Sequence, residues 1–172
     1  VDHQGGINMS ELAAAISDET ELISVGYVNS ETGAIADMSA VVKLVQRVRD
    51  DRRERGVIRP LLVHTDASQA AGVCDLSVAR LGVDLMTLNA GKCYGPKQVG
   101  LLYVRAGVKL RPFIVGGGQE MGLRSGTENV ASVVGFAKAL ELTETHRKSE
   151  IKRLSAMRNQ LRQFILEQFP EA

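Results

Sequence analysis

Apolar residues along this chain switch repeatedly between a helical period and short continuous runs, and the switches mark its elements. Ser10 to Ile16 reads as a short helix, and Glu21 to Val28 as a strand that ends in the polar turn Asn29-Ser30-Glu31-Thr32-Gly33. Asp37 or Ser39 can cap the next helix, which carries Val41, Val42, Leu44, Val45 and Val48 on a helical period and should end near Gly56. Pro60 to Thr65 is a continuous apolar run, the pattern of a strand covered on both faces. A short helix over Asp75 to Leu81, strands over Val83 to Leu88 and Val99 to Val104, and a loop opened by Gly116-Gly117-Gly118 follow. Two long helical patterns, Val130 to Thr145 and Ser149 to Phe169, close the chain. Strands alternating with helices predict an α/β fold: a mostly parallel central sheet with helices on both faces.

Composition narrows the function classes. With 172 residues, 44% hydrophobic and 24% charged, one globular domain with a sizeable core is expected. Basic and acidic residues number 21 and 20, so electrostatics give no reason to expect nucleic acid or an anionic membrane as partner. The arginines from Arg47 to Arg55 are interleaved with Asp50, Asp51 and Glu54, as on a solvated helix face. No apolar run reaches the ~20 residues of a membrane span, and no signal-peptide pattern is present. Cys74 and Cys93 have no short spacing to a histidine or to each other, which argues against a disulfide framework and a zinc site. A soluble, cytoplasmic protein without a metal is the expectation. The start at Val1 and the stop at Ala172 after a helical pattern read as a piece of a longer protein.

Chemistry concentrates between Leu61 and Tyr103. One strand runs into His64-Thr65-Asp66-Ala67-Ser68-Gln69, and the next leads to Asn89-Ala90-Gly91-Lys92-Cys93-Tyr94-Gly95-Pro96-Lys97. In an open α/β sheet, ligands sit beyond the carboxyl ends of the strands, where these turns and the Asn29 to Gly33 turn should converge. A lysine that can form an imine and a carboxylate that can pair with a pyridinium are the minimum equipment for pyridoxal phosphate (PLP), whose protonated ring serves as an electron sink. Lys92 and Asp66 are candidates for those roles, with Gln69 placed to reach another atom of a planar ligand. The plainer alternatives are that Asp66 caps its turn and Lys92 is a solvent lysine. From Gly116 to Thr127 the loop offers glycine amides, hydroxyls and Arg124 to a phosphate, in a spacing that is neither a Walker loop nor a dinucleotide fingerprint.

Six sequence blocks together identify a resemblance: Asn-Ser-Glu-Thr-Gly, His-Thr-Asp-Ala-Ser-Gln, Leu-Gly-Val-Asp-Leu, Tyr-Gly-Pro-Lys-Gln-Val-Gly, Gly-Gly-Gly-Gln-Glu and Arg-Ser-Gly-Thr-Glu-Asn. The chain resembles the cysteine desulfurases of the nitrogen-fixation and iron–sulfur-cluster type, PLP enzymes of the class V aminotransferase group. That resemblance implies the large domain of a fold-type I transferase. Residues 1–145 would be the central part of the PLP-binding domain, and 146–172 a helix leading toward a small domain outside the chain. It further implies that Asp66 pairs with the pyridine nitrogen, Gln69 bonds the phenolic oxygen, and Lys92 carries the cofactor and moves the Cα proton of L-cysteine. Asn89 and Gly91 would lie at the phosphate, Ser30 near the ring or the substrate carboxylate, and Thr127 at the phosphate of the neighbouring subunit in a homodimer. A mobile cysteine would take the sulfur as a persulfide, leaving L-alanine, and pass it to an iron–sulfur scaffold or another acceptor protein.

The chain departs from that pattern in three places. Asn89-Ala90-Gly91 stands where the family usually has Ser-Gly-His, and Ser30 where it usually has a second asparagine. The family's ring-stacking histidine lies upstream of this chain, and its sulfur-accepting cysteine and carboxylate-binding arginine lie downstream. A selenocysteine lyase or aminotransferase of the same fold, and a degenerate homologue acting as an interaction subunit, are the alternative readings.

Overall fold

The structure, a computed structural model, describes residues 1–171. Its centre is a four-stranded sheet in the order β1 (Leu22–Gly26), β2 (Leu62–Asp66), β3 (Leu85–Asn89), β4 (Gly100–Val104). β1, β2 and β3 are parallel, as expected of a mostly parallel sheet, and β4 returns antiparallel to β3, which makes the sheet mixed. Around it lie α1 (Met9–Ala15), α2 (Met38–Glu54), α3 (Val78–Leu81) and α4 (Val130–Gln168).

The crossover helix α2 shows how sequence sets these boundaries. Of the two candidate caps, Asp37 is the one used: its carboxylate accepts the Ala40 N–H at 2.9 Å, satisfying a donor the first helical turn leaves unpaired. Met38, Val41 and Val45 form the inward stripe and are buried. Gly56, at φ +73°, adopts the left-handed conformation that reverses the chain toward β2.

Ile23, Val63, Thr65, Met86 and Leu88 point from successive strands into a core closed by α2 and by Phe136 of α4. The opposite sheet face carries exposed Leu22 and Leu102 beside half-buried Leu62 and His64. Coverage of β2 on both faces is therefore met on one face within the described residues. The run Leu61-Leu62-Val63 signals burial, but it does not specify what supplies the cover.

Two helices were expected after Asn129, and the structure has one. α4 continues unbroken for 39 residues, about 58 Å at 1.5 Å per residue. The polar stretch His146-Arg147-Lys148 interrupts the apolar stripe without a Gly or Pro to interrupt the hydrogen bonds, and Arg147 Nε donates to Glu144 across it at 3.0 Å. The helix begins packed on the domain: a Cβ on Gly135 would come within 2.7 Å of Pro96 Cγ, so only glycine allows that approach. Thr143 Oγ1 donates to the Cys93 carbonyl at 3.2 Å. Beyond it the helix projects outward, with Leu154, Met157, Leu161 and Phe164 exposed.

Candidate functional site

Asp66 is the last residue of β2, and its exposed side chain stands at the carboxyl end of the sheet. Its Oδ1 accepts the Ser68 N–H at 2.9 Å, the turn-capping contact that the plainer reading of this residue anticipates. Among the described residues no donor within hydrogen-bond distance takes Oδ2, so the cap uses only half of the carboxylate. Partial burial pushes the Asp66 carboxyl up. The Ser68 amide and hydroxyl, the His64 ring and the Thr87 hydroxyl outweigh it and hold the group below the usual carboxylate range. Gln69, three residues on, lies in the same turn with no side-chain hydrogen bond among the described residues.

The register brings the second turn alongside. Asp66 pairs with Thr87, and two residues further along β3 stands Asn89, on the same face. Asn89 Oδ1 accepts the Gly91 N–H at 2.9 Å and caps a single 3₁₀ turn over Ala90–Lys92. This leaves the Asn89 amide NH₂ without a protein partner among the described residues, and it leaves Lys92 exposed and in no ion pair. Ala90, buried completely, anchors the turn by accepting both the Cys93 and the Gly95 N–H. Tyr94 follows at φ +63° with its side chain 93% exposed, a conformation that is costly for a residue with a Cβ.

The remaining predicted residues lie elsewhere in the chain. Ser30 Oγ donates to Glu31 at 3.1 Å, and Asn29 Oδ1 accepts the Glu31 and Thr32 N–H groups, so this turn is organised around itself. Thr127 is exposed at the end of the glycine-rich loop. That loop is held by buried Ser125, whose Oγ accepts the Gly118 N–H at 3.2 Å, and by Gln119 Oε1 accepting the Gly126 N–H at 2.9 Å. No hydrogen bond among the described residues joins the loop to Asp66, Asn89 or Lys92.

Neither cysteine is a candidate nucleophile. Cys93 is 1% exposed, its Sγ donates to the Ala90 carbonyl, and burial pushes its thiol up against the weaker pull of the Gly95 N–H. Burial likewise raises the Cys74 thiol. A thiolate is the reactive form, and both sites disfavour it. Among the described residues no cluster of His, Cys, Asp and Glu is arranged to hold a metal ion.

Sequence reading passed over Ser24, His64 and Thr87, which form a polar row on the open sheet face beside Asp66. The signal was present in the two-residue spacing of His64 and Asp66, which puts both on one side of a strand.

Residues 1–172 match the family Aminotransferase class-V, and the chain belongs to it. It is 37% identical to a cysteine desulfurase of Nostoc sp. over 171 residues, 99% of this chain and 40% of that protein. A cysteine desulfurase IscS of Clostridium botulinum is 39% identical over 171 residues, with the same coverage of 99% and 40%. Among solved structures, a NifS-like protein superposes with a TM-score of 0.88 at 36% identity, covering 97% of this chain and 43% of its own. SspA in complex with cysteine gives a TM-score of 0.68 at 34% identity over 80% of this chain and 37% of its own. The chain spans about 40% of the length of the curated relatives it matches.

Proposed function

We propose that this chain is the cofactor-binding centre of a PLP-dependent cysteine desulfurase, which releases sulfur from L-cysteine as an enzyme persulfide with formation of L-alanine. One observation carries the reading: a carboxylate with one oxygen unbonded and a lysine in no ion pair, among the described residues, end two adjacent parallel strands on the same edge, with the side-chain amides of Asn89 and Gln69 beside them. That donor set fits PLP. Asp66 Oδ2 would accept the ring N–H, Gln69 would reach the phenolic oxygen, the Asn89 amide NH₂ would serve the phosphate while the Gly91 N–H is taken by Asn89 Oδ1, and Lys92 would bind the aldehyde. When bound, the cofactor draws electron density from the substrate Cα and makes its proton removable. Lys92 would accept and return the proton.

Sulfur transfer needs a thiolate that attacks the substrate sulfur, forming S–S as the Cβ–S bond breaks. The buried thiols of Cys74 and Cys93 are unsuited to it, so the acceptor belongs to residues beyond these 172, and the chain alone should form no persulfide. Ser30 turns its hydroxyl to Glu31, which weakens its assignment to the ring or substrate. The loop ending in Thr127 carries Met121, and its flanks carry Phe113, Val115 and Val130, exposed at 93%, 97%, 75% and 65%, apolar surface that suits a symmetric interface through which Thr127 serves the partner's phosphate. In this reading the enzyme is a cytoplasmic homodimer that passes sulfur to an iron–sulfur scaffold or another acceptor protein. Both cysteines are free, and among the described residues no helix is long and apolar enough to cross a membrane.

The test is borohydride reduction of the full-length protein loaded with PLP, followed by mapping of the modified residue. Lys92 should carry the adduct, and Lys92→Ala should abolish it. An adduct that survives on Lys97 or another lysine overturns the assignment.

A further inference from the structure

Ser24, His64, Asp66 and Thr87 share the open face of the sheet, and hydrogen bonds join Ser24, His64 and Thr87 in one line across β1, β2 and β3, with Asp66 beside Thr87 at its end. Ser24 and His64 are register partners, and Ser24 Oγ lies 2.8 Å from His64 Nδ1. The imidazole leans toward the site, so that Nε2 meets Thr87 Oγ1 at 3.3 Å. Thr87 is in turn the register partner of Asp66. We propose that His64 is a positioning residue for Asp66, acting through the Thr87 hydroxyl to hold the carboxylate in place and ionised for the ring nitrogen of PLP. The proposal rests on the PLP reading above.

Polarity along the line has one consistent direction. An ionised carboxylate only accepts, so toward Asp66 the Thr87 hydroxyl can act only as a donor, which leaves its oxygen lone pair for His64 Nε2–H. His64 Nδ1 then accepts from Ser24 Oγ. The His64 tautomer is thus set by its neighbours, and each bond polarises the next toward the carboxylate. Burial holds the imidazole below its usual range and so keeps it neutral, as this arrangement requires, while Asp66 draws it the other way. A histidine that only plugged the sheet face would need neither nitrogen aligned with hydroxyls on the two flanking strands.

The experiment uses full-length protein with ring-¹⁵N-labelled PLP and reads three quantities: the ring nitrogen signal, the PLP dissociation constant, and the urea midpoint of the apoprotein. His64→Phe keeps ring volume and loses both nitrogens; Thr87→Val keeps the branched shape and loses the hydroxyl. Each should move the ring signal toward neutral pyridine and weaken PLP binding about tenfold, the scale of one hydrogen bond to a charged group. Both changes together should do little more than either alone, because the residues act in series. His64→Gln, which restores a donor toward Thr87, should return the signal and bind PLP within about twofold of the parent, under half a kcal/mol. An unchanged ring signal in His64→Phe and Thr87→Val, with only the urea midpoint lowered, overturns the proposal and leaves His64 a packing residue. Asp66→Asn separates the two levels: if it shifts the ring signal and the His64 and Thr87 variants do not, the positioning role alone fails. If Asp66→Asn also leaves the signal in place, the PLP assignment falls with it.

Discussion

Asp66 and Asp84 occupy opposite ends of the same sheet and are used in opposite ways. Asp84, just before β3, is 2% exposed and fully engaged: Oδ2 accepts from Arg49 and from the Val63 N–H at 2.7 Å, and Oδ1 accepts from Arg105 at 3.0 Å. It ties α2, β2 and the end of β4 together at the amino edge of the sheet. Asp66, at the carboxyl edge, is exposed, and among the described residues it is bonded through one oxygen. The cations follow the same division. Arg49 is committed to Asp84 and the Leu61 carbonyl, and Arg52 to the carbonyls of Ser17, Thr20 and Arg59, whereas Lys92 enters no ion pair among the described residues. Asp84, with both oxygens engaged by its own chain, stabilises the fold; Asp66, held in place with one oxygen unbonded among the described residues, is equipped for a ligand.

The sharpest break of this contrast is removal of Asp84. Asp84→Ala leaves Arg49 half-buried without its counter-charge and the Val63 N–H without an acceptor, which should cost about 3–5 kcal/mol of stability. Urea denaturation of the full-length apoprotein measures it, and a loss below about 1 kcal/mol, the scale of a surface pair, would remove the distinction between the two edges. Asp66→Asn should behave in the opposite manner. The fold and the Ser68 turn can survive on the amide oxygen, so the urea midpoint should hold within ~0.5 kcal/mol, the usual range for an exposed position. Turnover should fall about 10²–10³-fold, because a neutral amide cannot stabilise a ring cation as a carboxylate does. Near-normal turnover would show that Asp66 is only a turn cap.

The same contrast explains what the sequence made legible. Boundaries set by local chemistry were readable: Asp37 as one of two caps, Gly56 as a stop, and strands ending just ahead of Asp66 and of Asn89, where β2 and β3 in fact include those residues, all follow from residue types within a few positions. The division of α4 into two helices was misread, because a polar stretch interrupts the apolar stripe without interrupting backbone hydrogen bonding. Asp84 was invisible as a clasp. Its partners Arg49 and Arg105 are 35 and 21 residues away, and only the crossing of α2 over β2 and β3 brings the three together. Asp66 and Lys92 were legible as candidates because the carboxyl ends of parallel strands converge by topology. The row Ser24, His64 and Thr87 depends on strand register, which spacing along the chain does not fix.

A smaller effect tests whether the ligand-facing edge also carries its own pH signature. Burial holds the folded-state value of His64 below 6.5, so the folded protein favours the neutral ring while the unfolded chain takes up a proton as pH falls through 6.5. Stability contributed here is complete above 6.5 and declines as pH drops toward the folded-state value. Asp66 works in the same direction in a separate window: its folded-state value lies below 3.8, so its contribution is present above 3.8 and disappears as pH falls through the lowered value. Urea midpoints of the full-length apoprotein, stepped downward from neutral pH, should therefore fall in two stages. In His64→Phe the stage just below 6.5 should flatten while the acidic stage persists, since no imidazole remains to charge. The step should be small, because the ring is only partly buried and solvent screens much of the cost. An unchanged slope in His64→Phe would mean that the imidazole charges as readily in the folded protein as in the unfolded chain, and that the Ser24 to Thr87 row does not favour the neutral ring.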